Sequence, residues 1–315
     1  MNEKKARTIS PRRYFLTLIA STFALLFTVS AFGIWGVFFD ELFGYQIFYN
    51  YQLRKIADLE GVETVFVGDS SMGNSIDAEH FSRQSGTRSA NLALTGLYGY
   101  AGSYNMLKRM EDHPVENVVI MTTPDTFSRG VSYGGYLLTM ADTGDFQELS
   151  RDEQSRTVAA FYHMILSSGN FKATLKSLLG FGKRRFEMES DYIQQNNPID
   201  PREYPPLEKS MILPAKTRFL EKLLQYCKER DINVIHVHGP VYEGVGSQST
   251  EYLAEVNRLL SETGVQNIPD ITLIPLAEIG DSADHVAPKF KAQYTERYVR
   301  LISPRLRTNS PAGLR

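Results

Sequence analysis

The sequence predicts an α/β protein with a parallel sheet of about five strands, carried on one N-terminal membrane-spanning helix. Two patterns lead there. From Thr64 onward, short apolar runs alternate with amphipathic stretches, the rhythm of strands joined by crossover helices. Ahead of them, Tyr14 to Phe39 contains no charged side chain and exceeds the roughly 20 residues a bilayer requires.

Lys4, Lys5, Arg7, Arg12 and Arg13 precede the apolar run, and Asp40 and Glu41 follow it. Basic residues stay on the cytoplasmic side, so residues 1–13 are expected inside and everything after residue 40 outside. A cleaved signal peptide would have a shorter apolar core ending in small residues. Here the run passes straight through Val29-Ser30-Ala31, which favours an uncleaved, single-pass anchor over residues 14–39 of the cytoplasmic (inner) membrane. Residues 40–60 are rich in aromatic side chains, among them Phe43, Tyr45, Phe48, Tyr49 and Tyr51. Such a segment either lies at the bilayer interface or against a membrane partner, or packs as a helix on the domain's own surface.

The main domain is expected over 61–303, followed by a tail, 304–315. Strands are expected near Thr64 to Val67, Ser89 to Leu94, Asn117 to Thr122, Asn233 to His238 and Thr272 to Pro275. Helical spacing falls at Asp77 to Gln84, Tyr98 to Asp112, Thr217 to Arg230, Glu251 to Glu262 and Pro288 to Ile302, the last with a stripe of Phe290, Tyr294, Tyr298 and Leu301. Residues 126–213 interrupt this rhythm with far more chain than a crossover needs. Within them, Ser150 and Glu153 form a capping box that opens a helix through Val158, Phe161, Ile165 and Leu166. Lys183 to Ser210, charged and carrying Pro198, Pro201, Pro205 and Pro206, reads as a surface excursion that could cap a site.

With 315 residues, 42% hydrophobic and 22% charged, the chain is long enough for one large domain beyond the anchor. Cys227 is the single cysteine, so no intrachain disulfide can form, and its helical neighbours Phe219, Leu220, Leu223 and Leu224 place it in a core. A mildly acidic outer region with no basic run argues against nucleic acid as a partner.

The chemistry-bearing stretch is Val65-Phe66-Val67-Gly68-Asp69-Ser70-Ser71, a buried-looking strand running into a turn that carries a hydroxyl. Ligands of open α/β sheets bind beyond the carboxyl ends of the strands, so Ser70 is well placed. A serine hydroxyl needs an imidazole to remove its proton, and the imidazole needs a carboxylate to fix its tautomer. Of six histidines only His285 stands beside carboxylates just before a C-terminal helix, in Asp281-Ser282-Ala283-Asp284-His285. Either Asp281 or Asp284 could orient it. Met72 rules out the Gly-x-Ser-x-Gly elbow. His236 and His238 share a strand face, but no third and fourth ligand has supporting spacing, so neither metal nor other cofactor is expected. Asp69, Ser71, Asp125 and His238, all at or near strand ends, are candidate pocket residues.

These motifs resemble the SGNH, or GDSL-type, hydrolase superfamily, in particular the membrane-anchored branch that works beside MBOAT acyltransferases in O-acylating exopolysaccharides or teichoic acids. The likeness rests on Val65 to Ser70 with Gly73-Asn74-Ser75-Ile76-Asp77, on Asn91 to Gly96, and on Asp281 to His285. It implies a flavodoxin-like three-layer sandwich, Ser70 as nucleophile, His285 as base, and the Ser70 N–H and Gly96 backbone as oxyanion donors. Two departures stand out. The family's acid usually lies three residues before the histidine, where this chain has Ser282. The family's third block supplies an Asn, whereas here the strand ends Met121-Thr122-Thr123-Pro124-Asp125. A lost oxyanion donor would forfeit roughly 3–4 kcal/mol of transition-state stabilisation. The resemblance implies an extracytoplasmic O-acyltransferase component, with acetyl transfer to a secreted or cell-wall polysaccharide and an integral-membrane MBOAT-type partner supplying the acyl group. The alternatives are an anchored carbohydrate or lipid esterase, and a noncatalytic scaffold or polysaccharide-binding protein on a degenerate hydrolase fold.

Overall fold

The structure, a computed structural model, describes residues 11–38, 46–140, 144–166, 175–176, 179–180, 186–189, 192–195 and 198–307. Helix α1 (Pro11–Phe38) comes first, and its stretch Arg12–Phe32 is long and apolar enough to cross a membrane. Helix α2 (Gln46–Ala57) buries Phe48, Tyr49 and Ile56. Gln52 Nε2 donates to the Ala93 carbonyl at 2.8 Å and Lys55 Nζ to the Asn91 carbonyl at 2.7 Å, so this half of the aromatic segment packs on the domain itself. Leu42, Phe43 and Tyr45 lie outside the described residues.

Strand β1 (Thr64–Gly68) leads through Asp69 into the short helix α3 (Ser70–Ser75). Helix α4 (Ala78–Ser85) starts where Asp77 accepts the His80 N–H at 2.9 Å and stops at Gly86, whose left-handed backbone ends the last turn. There follow β2 (Ser89–Ala93), α5 (Gly99–Lys108) and β3 (Asn117–Thr122). The interval 126–213 then holds α6 (Tyr133–Thr139), α7 (Gly144–Gln147), α8 (Arg151–Leu166) and an antiparallel hairpin of β4 (Phe186–Glu189) and β5 (Tyr192–Gln195). The capping box forms reciprocally, with the Ser150 N–H on Glu153 Oε2 at 2.8 Å and the Glu153 N–H on Ser150 Oγ at 3.4 Å. The chain returns through α9 (Arg218–Glu229), β6 (Asn233–His238), β7 (Val241–Tyr242), α10 (Glu243–Gly246), α11 (Thr250–Glu262), β8 (Gln266–Ile268), β9 (Leu273–Ile274) and α12 (Lys291–Ile302).

The main sheet has five strands in the order β2-β1-β3-β6-β8, all parallel. This is the doubly wound 2-1-3-4-5 order, whose switch point lies between β1 and β3. The fifth strand is not the expected Thr272–Pro275 but β8. Leu273 and Ile274 pair with Val241 and Tyr242 in a separate two-stranded ladder. The three residues of β8 form no apolar run to mark them, because Gln266 is exposed and the Asn267 amide is spent on Asn257, at 2.8 Å.

Alternation along each strand feeds two cores. Val65, Val67, Val118 and Ile120 face Leu107 of α5, Phe219 and Leu223 of α9 and Leu260 of α11. Phe66, Val119, Met121 and Val237 face Met72 of α3, Phe81 of α4, and Tyr298 and Ile302 of α12. Cys227 sits in the first core, where burial pushes its thiol up to about 12 and leaves it unreactive.

Candidate active site

Gly68 makes the turn after β1. A Cβ there would lie 1.7 Å from the Met121 carbonyl oxygen, so only glycine lets β1 and β3 close together at their carboxyl ends. Asp69 then caps α3: its Oδ1 accepts from Ser71 N–H at 3.1 Å and Ser71 Oγ at 2.6 Å, and its Oδ2 from Thr123 N–H at 2.9 Å. One buried carboxylate thus ties the turn after β1 to the turn after β3. Burial first, and Asp284 second, push Asp69 up to about 6 against the opposing pull of Ser71, Thr123 and Arg129. Held this way, Ser70 opens at the switch point of the sheet.

His285 arrives from the far end of the chain. An antiparallel bridge between Ile279 and Val286, with the Gly280 N–H on the His285 carbonyl at 2.7 Å, closes the loop 281–285 so that its first and last residues face each other. His285 Nδ1 is 2.7 Å from Asp281 Oδ1, and its Nε2 is 2.9 Å from Ser70 Oγ. With the Nδ1 proton donated to Asp281, Nε2 presents its lone pair to the serine hydroxyl. Of the two candidate acids, Asp281 is the one hydrogen-bonded to His285. Asp284 Oδ1 lies 3.8 Å from Nε2, beyond hydrogen-bond reach, and accepts from Ser282 Oγ instead. Burial pulls His285 down, but Asp284, and Asp281 through both its bond and its charge, outweigh that and hold the imidazole above its ordinary value.

Ser70 and His285 open onto a cavity of about 790 Å³. Thr95 and Gly96 after β2, and Thr123, Asp125 and Arg129 after β3, form its polar end. Much of the remaining wall is aliphatic, including Leu97, Val131, Ala160 and Val245, and the excursion adds Ile193, Tyr204, Pro205 and Leu207. Residues of the 183–210 excursion thus form part of the cavity wall. Asn74 straps the hairpin down, donating to the Ile193 carbonyl at 3.0 Å and accepting its N–H at 2.7 Å.

Of the sequence-derived candidates, Ser70, Gly96, Asp125, Asp284 and His285 line the cavity, and Asp281 stands behind His285. Asp69 and Ser71 are buried beneath the turn and bond each other. His238, expected on the pocket wall, instead joins a buried network: its Nε2 meets Asn257 Oδ1 at 2.7 Å, while its strand neighbour His236 meets Asn267 Oδ1 at 3.0 Å and Tyr100 OH at 3.3 Å. Its side chain points from β6 into the helix layer rather than out of the strand end. Among the described residues no group of three or more His, Cys, Asp or Glu could hold a metal ion.

Sequence reasoning missed Arg129 and Thr95. Arg129 grips Asp125 Oδ2 through Nε at 3.2 Å and Nη2 at 2.6 Å, a pair whose only sequence signal is an acid and a base four residues apart. Thr95 keeps a buried Oγ1 without a partner in the described structure. No protein-family model and no curated protein matches this chain.

Proposed function

We propose that this protein is an extracytoplasmic O-acyltransferase component of SGNH type, acting on a glycan and tethered to the membrane by α1 with its N-terminus in the cytoplasm. The observation carrying this reading is the continuous line Ser70 Oγ, His285, Asp281 at 2.9 and 2.7 Å, opening onto a cavity of about 790 Å³. Ser70 Oγ attacks the carbonyl carbon of an acyl donor as its proton passes to His285 Nε2. The resulting oxyanion collapses, the bond to the leaving group breaks, and that group takes the proton from His285, leaving an ester on Ser70. A sugar hydroxyl then gives its proton to Nε2, attacks the ester and releases Ser70 with its proton restored. The aliphatic part of the cavity wall suits the acyl group of the donor ester. Because activated acyl donors such as acetyl-CoA are cytoplasmic, an integral-membrane acyltransferase of MBOAT type is the partner this route calls for.

Intact-mass analysis of the full chain in detergent, after exposure to an activated acetyl ester, tests the reading. One acetyl group on the wild type and none on Ser70→Ala is the expected result. Loss of that group only when a glycan is added supports transfer, equal loss to water supports the anchored esterase, and no adduct on folded wild type overturns serine chemistry in favour of a binding scaffold.

A further inference from the structure

Arg129 occupies an unusual position for a surface-loop cation. A Cβ built on Gly96 would fall 2.0 Å from Arg129 Nη1, so the guanidinium lies directly against the Gly96 backbone in the cavity that Ser70 lines. Nε and Nη2 are both committed to Asp125 Oδ2. The planar fork leaves Nη1 as the edge with no acceptor among the described residues.

The loop bearing Arg129 is held by three hydrogen bonds. Tyr252 OH donates to the Pro124 carbonyl at 2.9 Å, the Leu213 N–H to the Phe127 carbonyl at 2.9 Å, and the buried Lys216 Nζ to the Gly130 carbonyl at 2.7 Å. A cation oriented by a carboxylate and held on a braced loop in the same cavity as the nucleophile matches a requirement of acyl transfer. When Ser70 attacks, the carbonyl oxygen becomes an anion, and donors already aimed at it stabilise the transition state without reorganising. Ser70 N–H and Gly96 N–H have no protein acceptor among the described residues, and both residues line the cavity.

We propose that Arg129 is a catalytic residue: its Nη1 joins the Ser70 and Gly96 amides in holding the oxyanion formed at Ser70, and Asp125 is the positioning residue that aims it. This rests on the acyl-serine reading above. Arg129 forms no covalent bond and exchanges no proton; it supplies positive charge to both tetrahedral intermediates. Gly96 is required for the arrangement, because any side chain there would displace the guanidinium.

The test is the rate of acetyl-serine formation from a neutral activated acetyl ester, measured as a function of ester concentration for wild type, Arg129→Gln, Arg129→Lys, Arg129→Ala and Asp125→Asn. Arg129→Gln is expected to lower the limiting acylation rate about 10²- to 10³-fold with half-saturation little changed. Arg129→Lys should recover part of it, Asp125→Asn should lose less, and free guanidinium ion should partly rescue Arg129→Ala, a readout that a purely structural arginine would not give. Wild-type limiting rates in folded Arg129→Gln overturn the proposal while leaving the serine chemistry intact. A change confined to half-saturation also overturns it, assigning Arg129 to substrate binding instead. Absence of any adduct on the wild type overturns both readings together.

Discussion

At the scale of single residues, two aspartates four positions or fewer from one histidine have different roles. Asp281 fixes the tautomer of His285 through a 2.7 Å bond, whereas Asp284 acts only through its charge. Asp281→Asn would favour the wrong tautomer and is expected to lower acylation about 10³- to 10⁴-fold at saturating donor. Asp284→Asn leaves the line intact and should instead move the pH profile. His285 must be neutral to accept the serine proton, so activity falls as pH drops through its pKa, which lies above the ordinary 6.5 with Asp284 the leading cause that raises it. Removing that charge should shift the acid limb of kcat/KM to lower pH. A limb that stays in place in Asp284→Asn would show that Asp284 does not reach His285 electrostatically.

At the scale of elements, the cavity depends on a hairpin that belongs to neither core. β5 is held by the two bonds between Asn74 and the Ile193 backbone, and Ile193 lines the cavity. Asn74→Ala would strand two buried backbone groups and is expected to cost about 1–3 kcal/mol locally. Amide exchange at residues 192–195 should accelerate and the donor concentration for half-saturation should rise, while the melting of α5 and β3 stays close to wild type. Strands β1, β3 and β6, helices α4, α5, α9, α11 and α12, and the helix opened by Ser150 were legible because each carries its own apolar period or cap. β8 was not, because its pairing is made by backbone on a short edge strand, and neither was the short α3, which is set by the Asp69 cap and the approach of Thr123.

At the scale of the whole molecule, stability couples to pH through the buried histidine network between β6, β8 and α11. Burial, and then the neighbouring His238, depress His236 to about 3, and burial lowers His238 as well. For His236 the sign follows from linkage: the unfolded chain takes up a proton below about 6.5 that the folded chain refuses until about 3, so its contribution is present above 6.5 and is lost as pH falls, at about 1.4 kcal/mol per pH unit. Asp69 works the other way: raised to about 6, it keeps a proton in the folded state between roughly pH 6 and 3.8 and offsets part of the loss. Denaturant midpoints of wild type and His236→Gln isolate the histidine. The variant's deficit at pH 7.5 should shrink steadily toward pH 5, and a pH-independent deficit would show that His236 titrates normally in the folded chain.

The sequence by itself determined the α/β rhythm, the apolar N-terminal helix, the Ser150 capping box and the two ends of the Ser70 to His285 line, because periodicity, a capping box and a strand-to-turn serine are local properties written in neighbouring residues. Only the tertiary structure decided between Asp281 and Asp284, drew His238 into a buried network, packed α2 on the domain and set Arg129 against Gly96. Most of these outcomes depend on elements far apart in the chain packing together, and the choice of carboxylate turns on about an ångström of separation that no spacing rule contains.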